Sequence, residues 1–183
     1  TASVTLDALH LNPQTTSCIE NTDGSYIIGV KDNQQELAHQ LATVACCRRP
    51  HLTQHSIDKA HGRIEERTAW FYGLTNEEFA PRWSRSGLRT LIVVQRQTTT
   101  LPSGTESTVT SYYVSNRLLA SASETTAAEL FAAIRAHWSV ESHNWLRDVT
   151  FNEDCVRTTH SVPQAESWQP CERLRLICCA KPD

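Results

Sequence analysis

The stretch AHWSVESHNWLRDVTFNED, residues 136–154, decides how the rest of the chain is read. It crowds Trp138, Trp145, His137, His143, Glu141 and Glu153 among four Asp or Asn residues. Glu141 lies three residues after Trp138 and four before Trp145, spacings that share one helix face. The composition predicts a helical start and an extended end over 149–151. A carboxylate between two indoles is costly in a core unless it has a partner or a cation. Two readings stand at this point. In one, the Trp side chains pack and Glu141 points to water. In the other, Glu141 is a functional carboxylate.

Working upstream, Ser123 offers an N-cap for a helix over 124–136, with Ala128, Leu130, Phe131 and Ile134 on its apolar side. The helix is expected to continue over 138–146, with a kink near His137. Before it, LRTLIVVQ (88–95) reads as a strong strand, Pro102-Ser103-Gly104 as a hairpin turn, and TESTVTSYYV (105–114) as the returning strand. HSIDKAHGRIEERTAWFY (55–72) alternates around Gly62, which suits extended chain with a close approach. The region 51–120 is therefore expected to be β-rich and antiparallel.

The opening has a different character. SVTL (3–6) alternates and is rich in β-formers, and it runs directly into Asp7. In α/β folds the carboxyl ends of strands are where ligands bind, although Asp is also a common turn and capping residue. Asn12 and Pro13 form a helix start for 13–20. Asp23-Gly24 is a turn, YIIGV (26–30) suits a buried strand, and 35–47 has helical periodicity. Strand, helix, strand, helix over 3–47 predicts a parallel α/β unit.

Composition narrows the field. The chain has 183 residues, a net charge of −3 and 39% hydrophobic residues. Its mean hydropathy is −0.41. That suits one globular domain or part of a larger one, with no membrane partner. A self-contained DNA-binding domain is more often basic. The seven Cys form two adjacent pairs plus singles, without C-x-x-C, which argues against a disulfide framework and a zinc ribbon. A reducing cytoplasm is the default compartment. Met is absent and the first residues already read as a strand, so the natural beginning is expected upstream of Thr1.

Asp7 and Glu141 are the two carboxylates of interest, because a strand-end Asp and a helical Glu can converge in an α/β fold. Hard cations such as Mg²⁺ take carboxylate oxygens and complete their shell with water and phosphate. A two-cation site usually needs a third carboxylate, for which Asp148 and Asp154 are candidates. Lys59, His61, Arg63 and Arg67 alternate, which would put them on one strand face fit for phosphates or simply for solvent. His51, His55 and His61 lack a convincing further metal ligand and read as surface His.

Four stretches in order, TLDALH (5–10), YIIGVKDNQ (26–34), DKAHGRIEER (58–67) and HWSVESHNWLRDVTFNEDCVR (137–157), resemble the DDE transposases of bacterial insertion sequences, specifically the H-repeat-associated family. The resemblance covers about residues 3–164. It implies an α/β, RNase H-like domain, incomplete here, with a β-rich insertion before the catalytic helix. In that organisation 1–50 is the α/β core, 51–120 the insertion and 121–164 the catalytic helix with its following segment. It further implies Asp7 and Glu141 as catalytic residues holding Mg²⁺ or Mn²⁺. DNA binding or active-site support is implied for Lys31, Asn33, Gln34, Lys59, His61, Arg63, Glu65, His137, Trp138, Asn144 and Asp148. The implied partners are transposon-end and target DNA, with a homo-oligomer or an intact transposase subunit. The implied location is a bacterial cytoplasm, near the nucleoid.

Two departures shape the functional expectation. The family's first catalytic Asp lies in a D-G-K segment that falls upstream of Thr1. This chain alone is therefore expected to be an inactive remnant, or alternatively a non-catalytic product that binds DNA ends or a transposase subunit and inhibits. After Gln164 the family continues into an apolar helix, whereas this chain reads AESWQPCERLRLICCAKPD. Read one base out of frame from Glu166 with ordinary codons, that tail encodes Ile-Leu-Ala-Thr-Leu-Arg-Thr-Leu-Ala-Leu-Asn-Leu-Leu-Arg. Residues 165–183 are accordingly expected to be an out-of-frame tail.

Overall fold

In the computed structural model, the described residues are 3–60, 62–75, 78–101, 103–119 and 124–151, with side chains of the last helix described as far as Trp138. Six strands and three helices of eight residues or more are found there. They are β1 (Ser3–Leu6), α1 (Pro13–Asn21), β2 (Ser25–Val30), α2 (Gln35–Cys47), β3 (Leu52–Ala60), β4 (Arg63–Gly73), β5 (Thr90–Thr100), β6 (Thr105–Ser115) and α3 (Glu124–Phe151). The chain divides into two units, Thr1–Ala132 and Ala133–Asp183.

The first unit is built on one sheet with the order β1-β2-β6-β5-β4-β3. β1 and β2 are parallel, with Leu6 opposite Ile28. Parallel neighbours need a crossover, and α1 supplies it. As expected, Asn12 caps α1, its Oδ1 accepting the Thr15 N–H at 2.8 Å, and Pro13 takes the first helical position. β2 is buried on both faces through Tyr26, Ile27 and Ile28, which explains why it reads as an unbroken apolar run. α2 buries Leu37, Leu41 and Val44, one stripe at a spacing of three and four.

The antiparallel strands β3 to β6 extend this same sheet. β6 returns to pair with β2, Ile27–Val30 meeting Tyr112–Ser115. Beside this junction β5 is buried from Thr90 to Val94. Beyond it the strands open to solvent, and β6 is exposed from Thr105 to Thr110. The sheet is thus mixed α/β, with six strands and few helices.

Three local expectations change. The stretch 55–72 is two strands, because Ala60 pairs with Arg63 and the chain reverses at Gly62, whose φ of +74° suits glycine. β5 begins at Thr90, two residues later than the apolar run suggests. Val149–Phe151 is helical, as the last turn of α3, where β-branched and aromatic residues predict extended chain. Cys46 and Cys47 are free, but Cys18 is disulfide-bonded, so the odd Cys count does not exclude a bridge. No helix among the described residues is long and apolar enough to cross a membrane. The expected out-of-frame tail, 165–183, lies outside the described residues.

A polar network ties α1 to both ends of the β5–β6 hairpin. The buried Asn116 amide donates to Glu20 Oε2 at 2.6 Å and to the Gly24 carbonyl at 2.9 Å, while its Oδ1 accepts the Tyr26 N–H at 2.9 Å. Arg89 donates to Glu20 Oε1 at 2.5 Å and to the Asn116 carbonyl at 2.8 Å. Gly87, at φ +63°, leaves room for this carboxylate: a Cβ there would stand 2.6 Å from Glu20 Cδ and Oε2. One layer deeper, Thr16 donates to Ser86 Oγ at 2.8 Å, and the Tyr26 hydroxyl donates to the Ser86 carbonyl at 2.7 Å.

Asn116→Ala strands three partners at once, so it is expected to cost about 3 kcal/mol of stability, read by chemical denaturation. A loss below about 0.5 kcal/mol would mean that the network is not cooperative. Burial first, and the Glu20 charge second, push the Tyr26 phenol well above its ordinary value of 10.0. A folded-state pKa above the unfolded one contributes stability that is whole below the unfolded pKa and is lost as pH rises beyond it. Stability should therefore fall above about pH 10, by up to about 1.4 kcal/mol per pH unit from this phenol. Tyr26→Phe, costing about 1 kcal/mol at neutral pH, should show a shallower fall in denaturation series from pH 8 to 11.

Candidate functional site

The first candidate site lies where β1 and β2 end side by side. Each strand finishes in an extended residue followed by a three-residue 3-10 turn. Asp7 precedes Ala8–His10, and Lys31 precedes Asp32–Gln34. Asp7 is held as the cap of its own turn, its Oδ1 accepting the Ala8 N–H at 2.7 Å. The Lys31 ammonium stands 3.5 Å from the same oxygen. Lys31 is 72% exposed and the Asp7 side chain 41%, so solvent screens this pair and its energetic worth is small.

The second turn grips the first. Asn33 Nδ2 donates to the Ala8 carbonyl at 2.7 Å, and Gln34 Nε2 donates to the Leu11 carbonyl at 3.0 Å. Ala8 and Leu11 are buried, whereas Leu9 between them is 78% exposed. The structure thus brings together Asp7, Lys31, Asn33 and Gln34, which lie 24 to 27 residues apart in sequence. What the sequence reading misses is Ala8, whose N–H serves Asp7 and whose carbonyl serves Asn33. Main-chain groups leave no signature in residue type.

Asp7 suits a hard cation as one carboxylate ligand, since Mg²⁺ is commonly held by one or two carboxylates with water completing its shell. Among the described residues no three His, Cys, Asp or Glu side chains gather into a cation-holding cluster. Glu141, Asn144 and Asp148 lie on α3 in the second unit, and their side chains fall outside the described residues. His137 and Trp138, on the same helix, are half-buried.

The basic stripe does not form as alternation suggests. Lys59 pairs with Ile64, and Ala60 with Arg63, across the reversal at Gly62. Paired residues share a face and successive residues alternate, so Lys59 lies on one face of the sheet and Arg63 and Arg67 on the other. Arg67 is buried and donates to Asp58 Oδ2 at 2.6 Å and to Glu65 Oε2. Arg63 Nε stands 2.9 Å from Glu65 Oε1. Arg96, opposite Arg67 on β5, shares this face, so three guanidinium groups stand there with two carboxylates and much of the positive charge is neutralised. His61 lies outside the described residues. His55 pairs with Glu66 at 2.7 Å, and His51 Nδ1 accepts the Gly73 N–H at 3.0 Å, as surface His would.

Over 165 residues the chain is 30% identical to a protein of Escherichia coli O157:H7 described as "Putative transposase YncI", a match covering 84% of this chain. The chain spans 40% of the length of that relative. No protein-family model and no solved structure matches the chain. In sequence, the chain is transposase-like.

Proposed function

We propose that the chain is part of a DDE-type transposase, with an RNase H-like core over 1–50, an inserted ribbon over 51–120 and the catalytic helix in 121–164. The observation that carries this reading is the strand-end Asp7, seated beside a second turn that bears Lys31, Asn33 and Gln34. The relative's name supports the same reading. The H-repeat-associated family supplies its finer form through the four ordered stretches.

In this proposal Asp7 and Glu141 are the carboxylates that hold Mg²⁺ or Mn²⁺. The cation, when bound, activates an attacking oxygen and steadies a leaving one at phosphorus. Lys31 reaches from its strand end toward the same phosphate-bearing substrate, held as an exposed point charge. Lys59 and Arg63 are proposed contacts for DNA from opposite faces of the ribbon. Arg67 and Glu65 support the ribbon through their mutual ion pair, because a buried charge requires a partner. We propose cation and DNA binding by these residues.

Two measurements test this. Mn²⁺ titrated into the 183-residue chain should bind, and Asp7→Asn and Glu141→Gln should each weaken it; unchanged binding in both variants would remove the assignment. In a rebuilt full-length transposase carrying this chain, Glu141→Gln should lower strand cleavage by about a thousandfold or more. Its shift of inverted-repeat DNA, compared at one stated salt concentration, should change little. Persisting Mg²⁺-dependent cleavage would sink the role given to Glu141.

A further inference from the structure

We infer that Asn33 and Gln34 are positioning residues that set the direction of the Asp7 carboxylate by clamping the turn behind it, rather than contacts for DNA. Their service to a reacting group rests on the reading of Asp7 as a cation-holding carboxylate. The clamp itself rests on geometry alone.

Residue 8 is held from two sides. Its N–H donates to Asp7 Oδ1 at 2.7 Å, and its carbonyl accepts Asn33 Nδ2 at 2.7 Å. The plane of the Asp7–Ala8 peptide fixes where that N–H points, and the N–H fixes the carboxylate. The same Ala8 carbonyl also accepts the Leu11 N–H at 3.0 Å, closing the 3-10 turn. Gln34 then holds the far end through the Leu11 carbonyl. The two carbonyls gripped belong to the buried residues of the turn, Ala8 at 2% and Leu11 at 0% exposure. Both ends of the turn are thus pinned, and a main-chain rotation at Asp7 that carried the turn and its Ala8 N–H away would break two side-chain hydrogen bonds.

The donors come from the strand beside β1, and this matters. Lys31, Asn33 and Gln34 follow β2 directly, and β2 is locked in register with β1. The clamp therefore transmits the sheet's rigidity to a half-buried carboxylate at the strand end. Side-chain rotation costs entropy when frozen, so a carboxylate that must hold a cation gains affinity from being frozen beforehand. Lys31 differs from its neighbours. Its ammonium is mostly in solvent and donates to Asp7 Oδ1 at 3.5 Å rather than to a main-chain carbonyl of the turn, so it can also meet a phosphate.

The test uses nuclear magnetic resonance on the 183-residue chain. In the unaltered chain, three-bond couplings should report a single Asp7 χ1 rotamer. The Asn33 and Gln34 side-chain amides should exchange about fivefold more slowly than that of exposed Gln14. Several Asp7 rotamers together with ordinary amide exchange would overturn the inference without any variant. Asn33→Asp and Gln34→Glu keep size and remove the donor, and Asn33→Ala separates the lost donor from the added charge. Each should average the Asp7 rotamer and raise the Mn²⁺ concentration that half-broadens the Ala8 amide by about fivefold, with the β5 and β6 resonances in place. An unchanged rotamer with weakened DNA binding would overturn the clamp in favour of a DNA contact. Absence of Mn²⁺ broadening at Ala8 in the unaltered chain, with the rotamer results as expected, would defeat the cation reading of Asp7 and leave the clamp standing.

Discussion

The carboxamide of Asn116 is where the first unit is fastened together. The antiparallel ribbon meets β2 over only four residue pairs, Ile27–Val30 against Tyr112–Ser115. Asn116 follows directly, and its one side chain answers a main-chain donor, a main-chain acceptor and the Glu20 carboxylate. Each of those groups would be expensive to leave unsatisfied in the interior. The site works only because Gly87 has no side chain where the carboxylate sits. A helix, the start of β2, the approach to β5 and the end of β6 are thereby set in one arrangement.

The candidate site uses the same economy on a smaller scale. Parallel strands that end together leave two strand-end turns next to each other. Two amide side chains are enough to lock one turn against the other. The hydrogen bonds run from side chain to backbone, which makes the position of Asp7 depend on chain geometry more than on the residue types around it. A carboxylate touched directly by the Ala8 N–H and the Lys31 ammonium takes part of its direction from two amides one step removed.

The ribbon shows how charge is handled away from the junction. Near β2 both faces of the strands are covered and carry Phe71, Leu91, Ile92, Val93 and Val94. Farther out, β6 pairs with no β2 residue and its side chains face solvent. Arg67 lies between these regimes, buried and held by Asp58 and Glu65. A row of basic residues in the sequence therefore becomes a cluster of paired charges, since burying an unpaired guanidinium would cost far more than leaving it in water.

Much of the first fifty residues is legible from sequence, because the signals there are local. A cap residue before Pro13 starts a helix, an unbroken apolar run is a doubly covered strand, and strand–helix–strand order gives the parallel pair β1 and β2. Asp7 is picked out by its place at a strand end, and Lys31, Asn33 and Gln34 only through the family resemblance. Their contact depends on register between strands, which pattern alone does not supply. Alternation in 55–72 is equally compatible with one strand or two, and only the pairing of Ala60 with Arg63 puts Lys59 and Arg67 on opposite faces. At 149–151, β-propensity loses to the continuing hydrogen-bond ladder of α3, because adding a residue to an existing helix costs little. The sequence by itself determined which segments become strands or helices and which carboxylates merit attention. Tertiary structure decided which face each charge lies on and what holds Asp7 in place, because those follow from pairing between segments far apart in the chain.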